Sequence, residues 1–144
     1  MKLITKNTDY AIRALGCISK HKNNIITVSG LSESLDMPRP FLRKILQRLN
    51  KKGILKSSKG KGGGFILNVD PANISVLQLV EIFQGEFKLN EHVFKGKICP
   101  VIKTCYVKQR LDIIESSVKK QLGLITIKKI TKQNRLNKEK YNGR

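Results

Sequence analysis

The stretch from Asp36 to Val69 leaves the backbone few choices. Pro38 biases its predecessor away from helical angles, so Asp36-Met37-Pro38 is a break. From about Arg39 to Asn50, Leu42, Ile45, Leu46 and Leu49 recur at helical spacing, and Pro40 is tolerated in the first turn. Lys51-Lys52-Gly53 closes that helix. Ile54 to Ser58 and Phe65 to Val69 then read as two short strands around the turn Lys59-Gly60-Lys61-Gly62-Gly63-Gly64. Before the break, Ser29 is positioned to cap a short helix ending near Leu35. Two helices across a tight turn, followed at once by a glycine-tipped hairpin, spell a winged helix-turn-helix.

Charge follows the same boundaries. Between Met37 and Val69 lie nine cations and no acidic residue: Arg39, Arg43, Lys44, Arg48, Lys51, Lys52, Lys56, Lys59 and Lys61. The whole chain carries 29 Lys and Arg against 10 Asp and Glu, a formal charge of +19. Self-repulsion of that size is relieved by a polyanion. Its segregation onto the two elements that a winged helix presents to a duplex points to double-stranded DNA. Arg39, Arg43, Lys44 and Gln47 are then the candidates for base edges. Lys51, Lys52, Lys56, Lys59 and Lys61 fit the phosphates or the minor groove beside the wing, Arg48 joins them as a DNA-binding residue, and the wing glycines allow close backbone approach. A phosphate-binding loop does not fit, because the glycines lead into the strand Phe65-Ile66-Leu67 and not into a helix.

The flanking segments complete the domain. Thr8 and Asp9 are helix-start residues, and Ala11, Ala14, Leu15 and Ile18 form one apolar stripe behind them. Asp70 to Asn73 is a turn. Ser75 caps a further helix with Val76, Leu79, Val80 and Phe83 on one face, and Gly85 ends it. Residues 86–104 have no clear period. From about Tyr106 to Gln121, Val107, Leu111, Ile114 and Val118 are spaced 4, 3, 4, which is a coiled-coil seam and predicts a homodimer, the alternative being one helix packed on its own domain. Thr126 to Ile130 reads as a last short element.

The predicted fold class is mainly α with a small β-hairpin: a winged helix-turn-helix domain plus a long dimerisation helix. Its divisions are a DNA-binding domain over 1–85, a sensor or cluster loop over 86–104, a dimerisation helix with a short element over 105–130, and a basic, disordered tail over 131–144. The opening Met1 to Lys6 lacks the apolar core of a secretory signal, and no stretch is apolar enough to span a bilayer. With three cysteines, Cys17, Cys99 and Cys105, a disulfide framework is not expected, and the chain is placed in the cytoplasm. No carboxylate pair, nucleophile–base set or cofactor loop suggests an enzyme.

The motifs Leu3-Ile4-Thr5-Lys6, Thr8-Asp9-Tyr10-Ala11-Ile12-Arg13-Ala14-Leu15, Phe41-Leu42-Arg43-Lys44-Ile45-Leu46, Gly53-Ile54-Leu55 and Gly62-Gly63-Gly64-Phe65 resemble those of the Rrf-type winged-helix regulators, IscR- and NsrR-like. The resemblance covers roughly residues 1–130. It implies homodimers on palindromic promoters. It also implies an iron–sulfur cluster held by three loop cysteines and a ligand from the partner's first helix. Cys99 and Cys105 match two of those cysteines, and Asp9 matches the ligand contributed across the dimer. The first cysteine is missing, for Val93 and Phe94 stand near its place, with His92 beside it. Two readings follow: a repressor sensing nitric oxide, redox or iron–sulfur status through Cys99, Cys105, His92 and Asp9, or a cluster-free regulator of another effector. A basic RNA-binding protein is the alternative from a different class.

Overall fold

The computed structural model describes residues 2–21, 23–89, 93–94 and 97–142, with backbone alone at 93, 94, 141 and 142. Helix α1 (Lys6–Lys20) begins ahead of the Thr8–Asp9 pair expected to start it. The reason is tertiary. The Gln84 Oε1 accepts both the Thr5 N–H at 2.9 Å and the Thr8 hydroxyl at 2.8 Å, so a distant side chain replaces the local cap. Helix α2 (Val28–Leu35) is capped by Thr27, whose hydroxyl accepts the Gly30 N–H at 3.0 Å, and not by Ser29. Asp36 ends α2 in the left-handed region, at φ 51°, and α3 (Arg39–Lys51) follows the Pro38 break.

The hairpin forms as predicted. Strand β1 (Leu55–Ser58) pairs antiparallel with β2 (Gly64–Leu67), with Leu55 opposite Leu67 and Ser58 opposite Gly64. Ile26, from the β-branched stretch before α2, adds a third rung: Ile26 and Phe65 exchange two backbone hydrogen bonds of 2.9 Å. A Cβ on Gly64 would collide with the Ile26 carbonyl. Gly64 is therefore required by the chain's own packing, whereas Gly60 and Gly62 supply the positive φ of the wing tip.

Asp70 accepts the Ala72 N–H at 2.7 Å and opens a short 3-10 turn, Pro71–Asn73. Helix α4 (Val76–Gln84) has the predicted cap, Ser75, and the predicted stop, Gly85 at φ 84°. Its buried face differs slightly, because Ile82 is buried and Phe83 only half-buried. The segment expected to be a loop holds a two-residue hairpin, β3 (Val93–Phe94) with β4 (Lys97–Ile98). Helix α5 (Tyr106–Leu124) outruns the expected end at Gln121.

The largest correction concerns the tail. Residues 127–142 form one helix, α6 (Ile127–Asn142), where a short element and a disordered tail were expected. Composition fails here because helix formation needs only one good nucleus. The α5–α6 joint provides it: Ile125 C=O accepts the Val76 N–H at 2.8 Å, and Ile74 C=O accepts the Ile127 N–H at 3.0 Å. Ile127 is fully buried, and Ile130 packs beside it. The main core gathers Leu15, Leu31, Leu42, Leu46, Leu49 and Leu79 between the first four helices and the wing. A smaller cluster of Val76, Val80, Phe87 and Leu122 joins α4 to α5.

Candidate nucleic-acid interface

The apolar face of α3 is spent inward. Leu42 and Leu46 are fully buried, so the opposite face is committed to solvent. All nine cations between Met37 and Val69, and Gln47 with them, are exposed. Lys44, Gln47, Arg48, Lys51 and Lys52 line one open groove of about 350 Å3 along α3. Lys56 stands on β1, and Lys59 and Lys61 lie in the turn between the strands. Helix and wing thus present one sign of charge on two adjacent protrusions, which suits a duplex groove and its flanking phosphates.

Two of the predicted cations are not free. The Arg48 guanidinium lies over the Phe83 ring, 5.4 Å from its centroid, which ties it to α4. Arg39 is 3.8 Å from the Glu33 carboxylate of α2, both side chains being exposed. That pair is weak and competes little with a phosphate. Arg43, Lys44 and Gln47 are left as the free side chains on the middle of α3.

The sequence reading passed over Lys6. Its ammonium sits 5.4 Å from the Tyr10 ring centroid and 6.0 Å from that of Phe41. The two rings meet edge to face at 5.4 Å. Phe41 lies in the first turn of α3, so this aromatic pair holds a cation of α1 beside the start of the exposed helix. The available signal was Phe41 itself, an aromatic on the solvent side of an otherwise polar helix face.

The Rrf2 family, described as an iron-dependent transcriptional regulator, matches residues 4–133. The chain belongs to the Rrf2 family. Its fold and its exposed helix-plus-wing face are those of a DNA-binding regulator of the helix-turn-helix type. It is 27% identical over 121 residues to a putative helix-turn-helix regulator of Aquifex aeolicus, covering 83% of this chain and 84% of that one. It is 27% identical over 114 residues to the regulator NsrR of Bacillus subtilis, covering 78% and 77%. Among solved structures, CymR, the global cysteine regulator of B. subtilis, matches with a TM-score of 0.73 at 18% identity, covering 92% of this chain and 98% of that one. This last likeness is one of fold.

The predicted metal residues of this Rrf2 chain that the structure describes lie on separate elements. Cys99 and Cys105 are half-buried and bracket a turn in which Cys99 C=O accepts the Ile102 N–H at 3.1 Å. Cys105 is the residue before α5. Asp9 lies on α1, paired with Arg13 at 2.9 Å. His92 lies outside the described residues. Among the described residues, no three His, Cys, Asp or Glu side chains converge as a metal site would need. A cluster wants four donors, so the described residues do not fit one held within a single chain.

The start of the 86–104 segment is pinned. Glu115 of α5 accepts the Leu89 N–H at 3.0 Å and pairs with Lys119 at 2.9 Å. The Leu89 hydrogen bond, then Lys119, hold the Glu115 carboxyl below the ordinary carboxylate range.

Proposed function

We propose that this chain is a repressor that acts as a homodimer on a palindromic DNA site and is gated through the segment that carries Cys99 and Cys105. One observation carries the DNA part: nine exposed cations, with no acidic residue among them, spread over α3 and the wing and nowhere interrupted. Arg43, Lys44 and Gln47 read base edges, Arg suiting guanine and Gln adenine. Arg39, Arg48, Lys51, Lys52, Lys56, Lys59, Lys61 and Lys6 meet phosphates.

The dimer is supported by apolar surface that stays uncovered among the described residues. On α5, Tyr106, Val107, Ile113 and Ile114 are all at least half exposed, at 71%, 60%, 57% and 50%. A groove of about 650 Å3 between the end of α5 and α6 adds Leu124, Ile125 and Leu136. Large exposed apolar side chains gathered on one helix in this way mark an interaction surface. Two copies joined there would set two recognition helices one helical turn, ~34 Å, apart on a cytoplasmic duplex.

The signal enters at Cys99 and Cys105. Nitric oxide, redox or iron–sulfur status are the inputs suited to two thiols at the foot of α5. An iron–sulfur cluster there would draw on His92 and on Asp9 across the dimer. An anaerobic absorption spectrum with iron and sulfide assays tests this: a colourless, iron-free dimer after reconstitution would leave the cluster-free regulator. The DNA reading is tested by anisotropy of labelled duplex against salt. The slope of log affinity is expected to be steep, and Lys59→Gln with Lys61→Gln should flatten it by about 0.9 per contact. Equal or better binding to an RNA hairpin of the same length would overturn it in favour of an RNA-binding protein.

A further inference from the structure

The recognition helix and wing account for the cations between Met37 and Val69, but not for those of α6. Lys128, Lys132 and Arg135 are spaced i, i+4, i+7 on that helix and are all exposed. Their stripe lies to one side of Ile127 and Ile130, the residues that pack on the core, and borders Thr131, whose hydroxyl is 3.3 Å from that of Ser19 on α1. Among the described residues, none of the three is within ion-pair distance of a carboxylate. Lys129, off the stripe, instead donates to the Leu124 carbonyl at 2.9 Å and closes the end of α5.

Like charges at this spacing repel and destabilise a helix. The helix forms because its first turn is nailed to the core by Ile127 and by the backbone bonds to Ile74 and Val76. It then holds the three charges in a rigid row about 10 Å long, at 1.5 Å per residue. A row of that length faces about six duplex charges at one per ~1.7 Å of axis.

The composition of α6 selects among polyanions. The row itself, 128–135, holds no aromatic side chain on which an unpaired base could stack, the one aromatic of α6 being Tyr141 past its end. Leu136 is the one exposed large apolar side chain there, too little to embed a helix in a bilayer surface. Glu139, at i+4 from Arg135, ends the row, and the three cations before it complement a rigid, evenly charged rod.

We infer that the Lys128–Lys132–Arg135 stripe of α6 is a second duplex contact that grips phosphates flanking the site read by α3 and the wing. This rests on the DNA-binding reading above. The flanking contact lengthens the footprint and adds affinity without adding sequence preference.

The test compares the full chain with Lys128→Gln/Lys132→Gln/Arg135→Gln. Binding is measured against salt on mixed-sequence duplexes of about two and about five helical turns, ~34 Å each. The triple variant should show a log–log salt slope shallower by about 0.9 per lost contact on the long duplex, and a smaller change on the short one. Lys120→Gln/Lys140→Gln removes charge from α5 and from the part of α6 off the stripe, and should leave the long-duplex slope near that of the parent. Circular dichroism and sedimentation establish that each variant keeps its helix content and assembly state. An unchanged slope in the triple variant overturns the inference. So does an equal loss in the double variant, which would make the effect one of net charge alone. A loss seen with single-stranded RNA but not with duplex reassigns the stripe to RNA. If the parent chain itself fails to bind any duplex, the DNA-binding reading falls, which is a separate result.

Discussion

Helices α3 and α5 carry the same kind of signal in the sequence and meet opposite fates in the fold. Both have apolar residues at three- and four-residue spacing. In α3 those residues, Leu42, Ile45, Leu46 and Leu49, are all buried by the chain's own helices. In α5, a longer helix of 19 residues, only Leu122 is buried; of the expected seam, Val107 and Ile114 face solvent, Leu111 is half-buried, and Val118 packs against the cluster that joins α4 to α5. The difference lies in the neighbours. Helix α3 is held between α1, α2 and the wing, while Val107, Ile113 and Ile114 on the outer face of α5 stay exposed among the described residues. A periodic apolar stripe states that a face needs covering; it does not state by what. The polar faces differ as well. Helix α3 turns cations outward, of which only Arg39 meets a carboxylate among the described residues, whereas α5 ties four of its six charges into i,i+4 pairs, Lys108 with Asp112 and Lys119 with Glu115.

The contrast can be broken by substitution. Leu46→Ala, at a fully buried position of α3, should cost about 2–5 kcal/mol, read as a lower urea midpoint. An effect under about 1 kcal/mol would mean that α3 is not anchored as described. Ile114→Glu should leave the folded chain intact but weaken self-association about 10- to 100-fold, or about 1.4–2.8 kcal/mol, in sedimentation equilibrium. If the variant associates as the parent does, α5 is not the seam. Arg43→Ala should cost about 1–3 kcal/mol of duplex affinity and relax preference at one base position, with the thermal midpoint unmoved. A stability loss without an affinity loss would assign Arg43 to packing.

The smallest effect concerns the clamp at Leu89. Glu115→Ala should cost about 1 kcal/mol and raise hydrogen exchange near Leu89. Because the Glu115 carboxyl is held below its ordinary value, its contribution is complete above the usual carboxylate pKa, about 4.3, and fades as pH falls through the lowered value. In the parent chain, Leu89 exchange should therefore increase on acidification in that window. In Glu115→Ala that pH response should be absent. A parent-like response in the variant would place the titrating group elsewhere.

What was legible in the sequence is local and sterically forced. Pro38 marks the break, Gly60 and Gly62 mark the wing tip, Ser75 and Gly85 bound α4, and the cations sort onto α3 and the wing. Each of these follows from one residue's backbone limits or from one helix period, so no distant residue needed to be known. The tertiary structure decided the rest. Gln84 moved the start of α1 by satisfying Thr5 and Thr8 from 76 or more residues away in the chain. The backbone stitch of Ile74 and Val76 to the α5–α6 joint turned an expected disordered tail into α6. Phe83 and the Tyr10–Phe41 pair fixed where Arg48 and Lys6 stand. These outcomes depend on hydrogen bonds and ring contacts between segments far apart in sequence, and periodicity and composition carry no record of such pairs.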